Sequence, residues 1–130
     1  PAELNYNKRL ESIYQQTRNL LKESKPDIIA LERLFFYNNS KTAINVSQAI
    51  GVIKLAISHE KKQIIEYTPL KVKATITNNG KAKKEDIKKS IKKLFNITAP
   101  KNQKAHFDDV ADALGIAVCH ARILEQKERG

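Results

Sequence analysis

At 130 residues the chain can bury one core but not two, and its 41% hydrophobic and 29% charged residues place it with globular rather than disordered proteins. Lys and Arg number 24 against 14 Asp and Glu, a formal net charge of +10 that directs attention to polyanions. The single cysteine excludes an intramolecular disulfide framework, and no apolar run approaches the roughly 18 residues of a membrane span, so a soluble, cytoplasmic protein without a membrane partner is expected.

Leu10, Ile13, Tyr14, Thr17, Leu20 and Leu21 recur at helical spacing among Glu, Gln, Lys and Arg. They predict an amphipathic helix over residues 4–23, ended by Ser24, Lys25, Pro26 and Asp27. Ile28 to Phe35 is a short apolar run broken by Glu32 and Arg33, read as a strand buried on both faces, as in a parallel sheet. After a turn at Tyr37, Asn38 and Asn39, Ser40 is placed to cap a helix running to about Ser58. That helix holds more apolar residues than one face accommodates, and Gly51 in its middle costs about 1 kcal/mol relative to Ala. Another backbone is expected to approach Gly51, from a neighbouring helix of the domain or from a second copy across a homodimer seam.

Gln63 to Tyr67 reads as a second strand closed by Thr68-Pro69, so strand, crossover helix and strand make a parallel unit. Residues 71–83 form a polar stretch with a turn at Thr77-Asn78-Asn79-Gly80. A helix from Lys84 to Phe95 should turn Ile87, Ile91, Leu94 and Phe95 inward and its lysines outward. Residues 96–107, with Pro100, read as a loop. The last helix is expected to start near Asp108 and to bury Val110, Ala113, Leu114, Ala117, Val118 and Ala121, with Cys119 in the core. Two strands leave the apolar first strand short of neighbours, and the chain opens on Pro1 without any Met. Residues 1–130 are therefore expected to be one α/β domain whose first strands are missing.

The positive charge is local. Residues 71–104 carry 11 basic side chains, all lysine, against 2 acidic ones. Lysines suit point-charge contacts to phosphate rather than bidentate reading of base edges, although a lysine-rich helix face can also serve solubility alone.

Glu32 stands out because an ionised carboxylate inside an apolar strand is costly unless something positive pairs with it. Pairing with Arg33 or a lysine would explain it, and so would a ligand site at the carboxyl end of the sheet. Asp109 and Asp112 lie three apart, on one side of a helix start, with Asp108 beside them as an N-cap candidate. Carboxylates from a strand end and a helix start, next to a lysine patch, supply hard oxygen ligands for Mg²⁺, and such ions can activate water against a phosphodiester. His106, just before the acidic pair, suits either proton transfer or polar surface. His59 and His120 have no partners at zinc-ligand spacing.

The segment Ile29-Ala30-Leu31-Glu32-Arg33-Leu34-Phe35, then Ser47-Gln48-Ala49-Ile50-Gly51, Glu66-Tyr67, Val72-Lys73 and Asp109-Val110-Ala111-Asp112-Ala113-Leu114-Gly115, closely resembles the RuvC-type crossover junction endodeoxyribonucleases, over roughly residues 8–123. The resemblance implies an RNase H-like fold, a mixed sheet with flanking helices, here without its first strands. It implies a structure-selective endonuclease that resolves four-way (Holliday) DNA junctions by Mg²⁺-dependent hydrolysis, with Mn²⁺ able to substitute, through two symmetric nicks from a homodimer. Glu32, Asp109 and Asp112 are then three of four catalytic, metal-binding carboxylates. The fourth belongs to a Gly-x-Asp-x-Gly strand that this chain lacks, so the chain by itself is expected to be inactive. Phe35 is implied as a junction-wedging or stacking residue, Lys73 and Lys84 as phosphate contacts, and a branch-migration helicase complex as partner. Two other readings of the same residues are a non-catalytic nucleic-acid-binding module and an RNase H-like nuclease acting on structured RNA.

Overall fold

The computed structural model describes residues 2–33, 40–98, 102 and 104–129, with side chains at 5–33, 42–98, 102 and 108–129. Its elements are α1 (Ala2–Ser24), β1 (Ile28–Glu32), α2 (Ser40–His59), β2 (Gln63–Tyr67), α3 (Pro69–Thr77), α4 (Lys84–Phe95) and α5 (Lys104–Arg129). They divide into two units, Pro1–Ile29 with Phe35–Ile65 and Ala30–Leu34 with Glu66–Gly130.

In the first unit α1 packs on α2. Leu10, Ile13, Tyr14, Thr17 and Leu21 form the inward stripe of α1, while Leu20, expected in it, is 62% exposed because the stripe is complete without it. The two helices are tied by the Arg18 Nε donation to Glu60 Oε1 at 2.8 Å and by a hydrogen bond between the Tyr14 hydroxyl and His59 Nδ1. Ala56 and Ile57 are buried on α2. The helix ends with Lys61 in the left-handed region, φ 57°, and Lys62 N–H donating to Ile57 O at 3.2 Å, a Schellman closure built on a residue other than glycine. Among the described residues no neighbouring helix makes the close approach expected at Gly51, where a methyl would meet nothing within 4 Å, and an approach by a second copy is not tested by a single chain. Ile44, Gln48, Gly51 and Leu55 instead share one exposed helix face. The Ser40 side chain lies outside the described residues.

β1 and β2 pair as a two-stranded parallel sheet. All five residues of β1 are half-buried, short of the two-face burial expected for its apolar run, because among the described residues β2 alone flanks it. Leu34 and Phe35, the expected end of the strand, lie outside the described residues.

The second unit is built on α3, α4 and α5, whose buried Val72, Ile76, Ile91, Ala111 and Cys119 form the core. α3 replaces the polar stretch expected after β2. The Thr68 side chain accepts from Lys71 N–H at 3.2 Å, Pro69 occupies the first turn, and Asn78 closes the helix at φ 59°. α4 has the expected bounds. The Lys83 N–H donates to Asp86 Oδ2 at 2.9 Å, with Glu85 and Asp86 in the first turn and Lys92 and Lys93 in the last, a distribution that suits the helix dipole. Its burial differs from expectation at its carboxyl end, where Leu94 and Phe95 are exposed, and in its middle, where Lys88 is buried. α5 begins at Lys104, four residues before the expected start, so Asp108 is not its N-cap and no acid stands in its first turn. Its buried ridge is Ala111, Gly115 and Cys119 rather than Val110, Ala113, Ala117 and Ala121, which are exposed. The small residues face inward because α3 presses close there; a methyl on Gly115 would stand 3.3 Å from Ile76 Cδ1.

Candidate active site

Three constraints bring the site together within the second unit. Glu32 is the last residue of β1, at the carboxyl end where open parallel sheets present ligands. The Thr68-Pro69 start of α3 follows β2 directly and sets Lys73 one turn into that helix. The packing of α4 on α5 sets Lys84 across from Asp112. These four side chains line one cavity of about 370 Å³, with Pro69, Val72, Ile87, Gly115 and Ile116 as its apolar wall.

The electrostatics follow from that enclosure. Burial pushes the Glu32 carboxyl above its ordinary pKa, and repulsion by Asp112 pushes it the same way, while Lys84 and Lys73 pull it back. Lys84 Nζ lies 3.4 Å from Asp112 Oδ2 in an exposed pair, 58% and 44% accessible, worth under about 1 kcal/mol. Arg33 does not neutralise Glu32; its Nε donates to Glu66 Oε2 at 3.1 Å across the sheet. Two acids that repel one another in a half-enclosed cavity form a donor set that a divalent cation would relieve.

Of the residues singled out from sequence, Glu32, Asp112, Lys73 and Lys84 are thus brought to one place. Asp109 is exposed on α5 and is not part of the cavity wall. Among the described residues no three His, Cys, Asp or Glu side chains group closely enough to hold one metal ion. Phe35 and the His106 side chain lie outside the described residues. His120 Nδ1 meets the Tyr67 hydroxyl at 2.5 Å, and burial raises the pKa of that phenol. Cys119 is fully buried, as expected.

Sequence reasoning missed Lys88. Its Nζ donates to Glu85 Oε1 at 3.3 Å and pairs with Asp108 Oδ1 at 2.7 Å, and the bond to Asp108 is the main cause raising its pKa. One signal was present: Asp108 and Asp112 are four apart, as are Lys84 and Lys88, the spacing at which two helices can pair twice.

The model of the family described as crossover junction endodeoxyribonuclease RuvC matches residues 2–120. The crossover junction endodeoxyribonuclease RuvC of Natranaerobius thermophilus is 45% identical over 123 residues, which cover 94% of this chain and 73% of that protein. Among solved structures, RuvC of Thermus thermophilus superposes with a TM-score of 0.79 at 27% identity, covering 94% of this chain and 71% of the other. A second Thermus thermophilus RuvC structure, in complex with a Holliday junction substrate, gives a TM-score of 0.76 at 25% identity, covering 93% and 71%.

Proposed function

Because this chain belongs to the RuvC family of crossover junction endodeoxyribonucleases, an RNase H-like fold, we propose that its substrate is a four-way DNA junction and that Glu32, Asp109 and Asp112 are its catalytic carboxylates. The observation that carries the assignment is the shared cavity in which Glu32 and Asp112 face each other between Lys73 and Lys84.

Glu32 and Asp112 would hold Mg²⁺ or Mn²⁺ in the cavity, and Asp109, one turn earlier on α5 and outside the cavity wall, joins them in this proposal on the family resemblance. When bound, the ion would supply activation of water and charge stabilisation at the scissile phosphate. The chain's own groups do the rest. Lys73 and Lys84, which line the cavity, hold phosphate oxygens by charge alone, which suits recognition of junction shape. Phe35, three residues beyond Glu32, stacks on or wedges between bases at the branch point. The apolar wall limits water around the carboxylates and strengthens their electrostatics.

Two nicks need two sites, and we propose the homodimer seam on α2. Ile44 and Leu55 are 58% and 50% exposed there, flanking a glycine that no described residue covers. Residues 1–130 act as one domain in this reading. No described helix is long and apolar enough to cross a membrane, and we place the protein in the cytoplasm with its DNA, where a branch-migration helicase complex is the expected partner.

Cleavage of a radiolabelled four-way junction with Mg²⁺ tests the reading. The full-length protein should bind and cut the junction, and Asp112→Asn in it should lose at least about a hundredfold, the scale of removing one charge-stabilising group from a reacting centre. Equal cutting by parent and variant would end the assignment, and preference for structured RNA would redirect it.

A further inference from the structure

We infer that Lys88 and Asp108 are positioning residues, whose buried pair fixes the register of α4 along α5 and so holds Lys84 opposite Asp112 in the cavity. The inference rests on the role proposed for Lys84 and goes beyond it, since neither Lys88 nor Asp108 lines the cavity.

The two helices meet through two lysine–aspartate rungs. Lys84 pairs with Asp112 at 3.4 Å and Lys88 with Asp108 at 2.7 Å, so a step of four residues up α4 matches a step of four down α5. One helical turn separates the rungs on each helix, which places them on one face of an antiparallel pair. The rungs differ in solvent access. At the cavity the side chains are 58% and 44% exposed, whereas those of Lys88 and Asp108 are 9% and 26% exposed. An exposed pair exchanges freely with water and fixes little. A lysine taken out of water must keep its carboxylate, so the inner rung is directional in a way the apolar contacts of Ile87 and Ile91 are not. Glu85 holds Lys88 from the preceding turn at 3.3 Å, which narrows its rotamers further. A slip of α4 by less than a turn would leave the buried Lys88 short of Asp108, and the same slip would carry Lys84 away from Asp112.

Replacing the inner rung by apolar side chains of similar size tests this, because such exchanges usually leave stability unchanged or raise it. Junction binding by the chain is measured for the parent, Lys84→Ala, Lys88→Met/Asp108→Leu and the triple variant, across a salt series and alongside thermal melts. In the parent background Lys84→Ala should weaken binding about fivefold and lower the salt slope by about one. In the apolar-rung background, with Tm close to the parent's, the same change should cost less than about twofold, because Lys84 is no longer aimed. An equal cost in both backgrounds overturns the positioning role and leaves the resolvase reading intact. No cost in either overturns the phosphate role of Lys84 and this inference with it. If the apolar rung melts far below the parent, the exchanged pair Lys88→Asp/Asp108→Lys decides. It retains a buried rung, so Lys84→Ala must again cost about fivefold, and a smaller loss overturns the inference.

Discussion

Glu32 and Glu60 show how two glutamates on one chain acquire opposite pH behaviour. The Glu60 carboxyl is held below its ordinary pKa by the hydrogen bond from Arg18, so what it contributes to folding is present above the unfolded value and lost as pH falls through the folded one. Glu32 is displaced upward by burial and by Asp112, so the folded chain keeps that proton longer than the unfolded chain does, and stability declines as pH rises through the interval between the two values. In metal-free buffer, Glu32→Gln should therefore melt about 2 °C above the parent at neutral pH, and the gain should vanish at a pH low enough to protonate Glu32. Circular dichroism melts across that range check the sign; a gain that persists in acid would show that the carboxylate's charge is not its cause. Glu32 was legible in the sequence because a single acid in an apolar run has few explanations. Lys88 was not, because in a helix with five lysines every one has the same claim to solvent, and only the third dimension shows which one Asp108 waits for.

α3 is the element that periodicity concealed. Val72, Thr75, Ile76 and Thr77 are β-branched and carry weak helix propensity, and a nine-residue helix offers barely two turns of pattern. Its start was nevertheless written locally, in a Thr followed by Pro. Thr68→Ala should cost about 1 kcal/mol, read as a lower urea midpoint with an unchanged slope. α5 was half legible. Its extent beyond Asp108 follows from composition, but its first turn and inward face do not, since alanine can line either side and close packing selects the smallest residues. Gly115→Leu drives a side chain into Ile76, Ile87 and Val72 and should destabilise by about 1–3 kcal/mol, whereas Leu at exposed Ala113 should change the melting point little. The bounds of β2 and α4 matched expectation to the residue, because turn signals bound the strand and the Ile–Lys pattern runs the length of the helix, but the burial of α4 departed from it at Lys88, Leu94 and Phe95.

At the level of the molecule, the seam proposed on α2 makes a prediction with two signs. Gly51→Ala should raise helix stability by up to about 1 kcal/mol in the isolated chain, since no atom of the described residues obstructs a methyl there. In the dimer the same methyl would stand between two helices and weaken association. Sedimentation velocity over a concentration series should show the shift toward monomer, and Leu55→Glu should abolish the dimer while melting like the parent at dilutions where the parent is monomeric. A Gly51→Ala chain that associates as tightly as the parent would place the seam elsewhere.

Complete enclosure of Cys119 has a practical consequence. It is the chain's only thiol and its side chain does not meet solvent, so thiol-directed reagents should leave the folded protein unmodified. A cysteine introduced at exposed Gln15 on α1 would then be the sole reactive position. One dye there and one on a DNA arm would follow junction capture by energy transfer, with no background substitutions required.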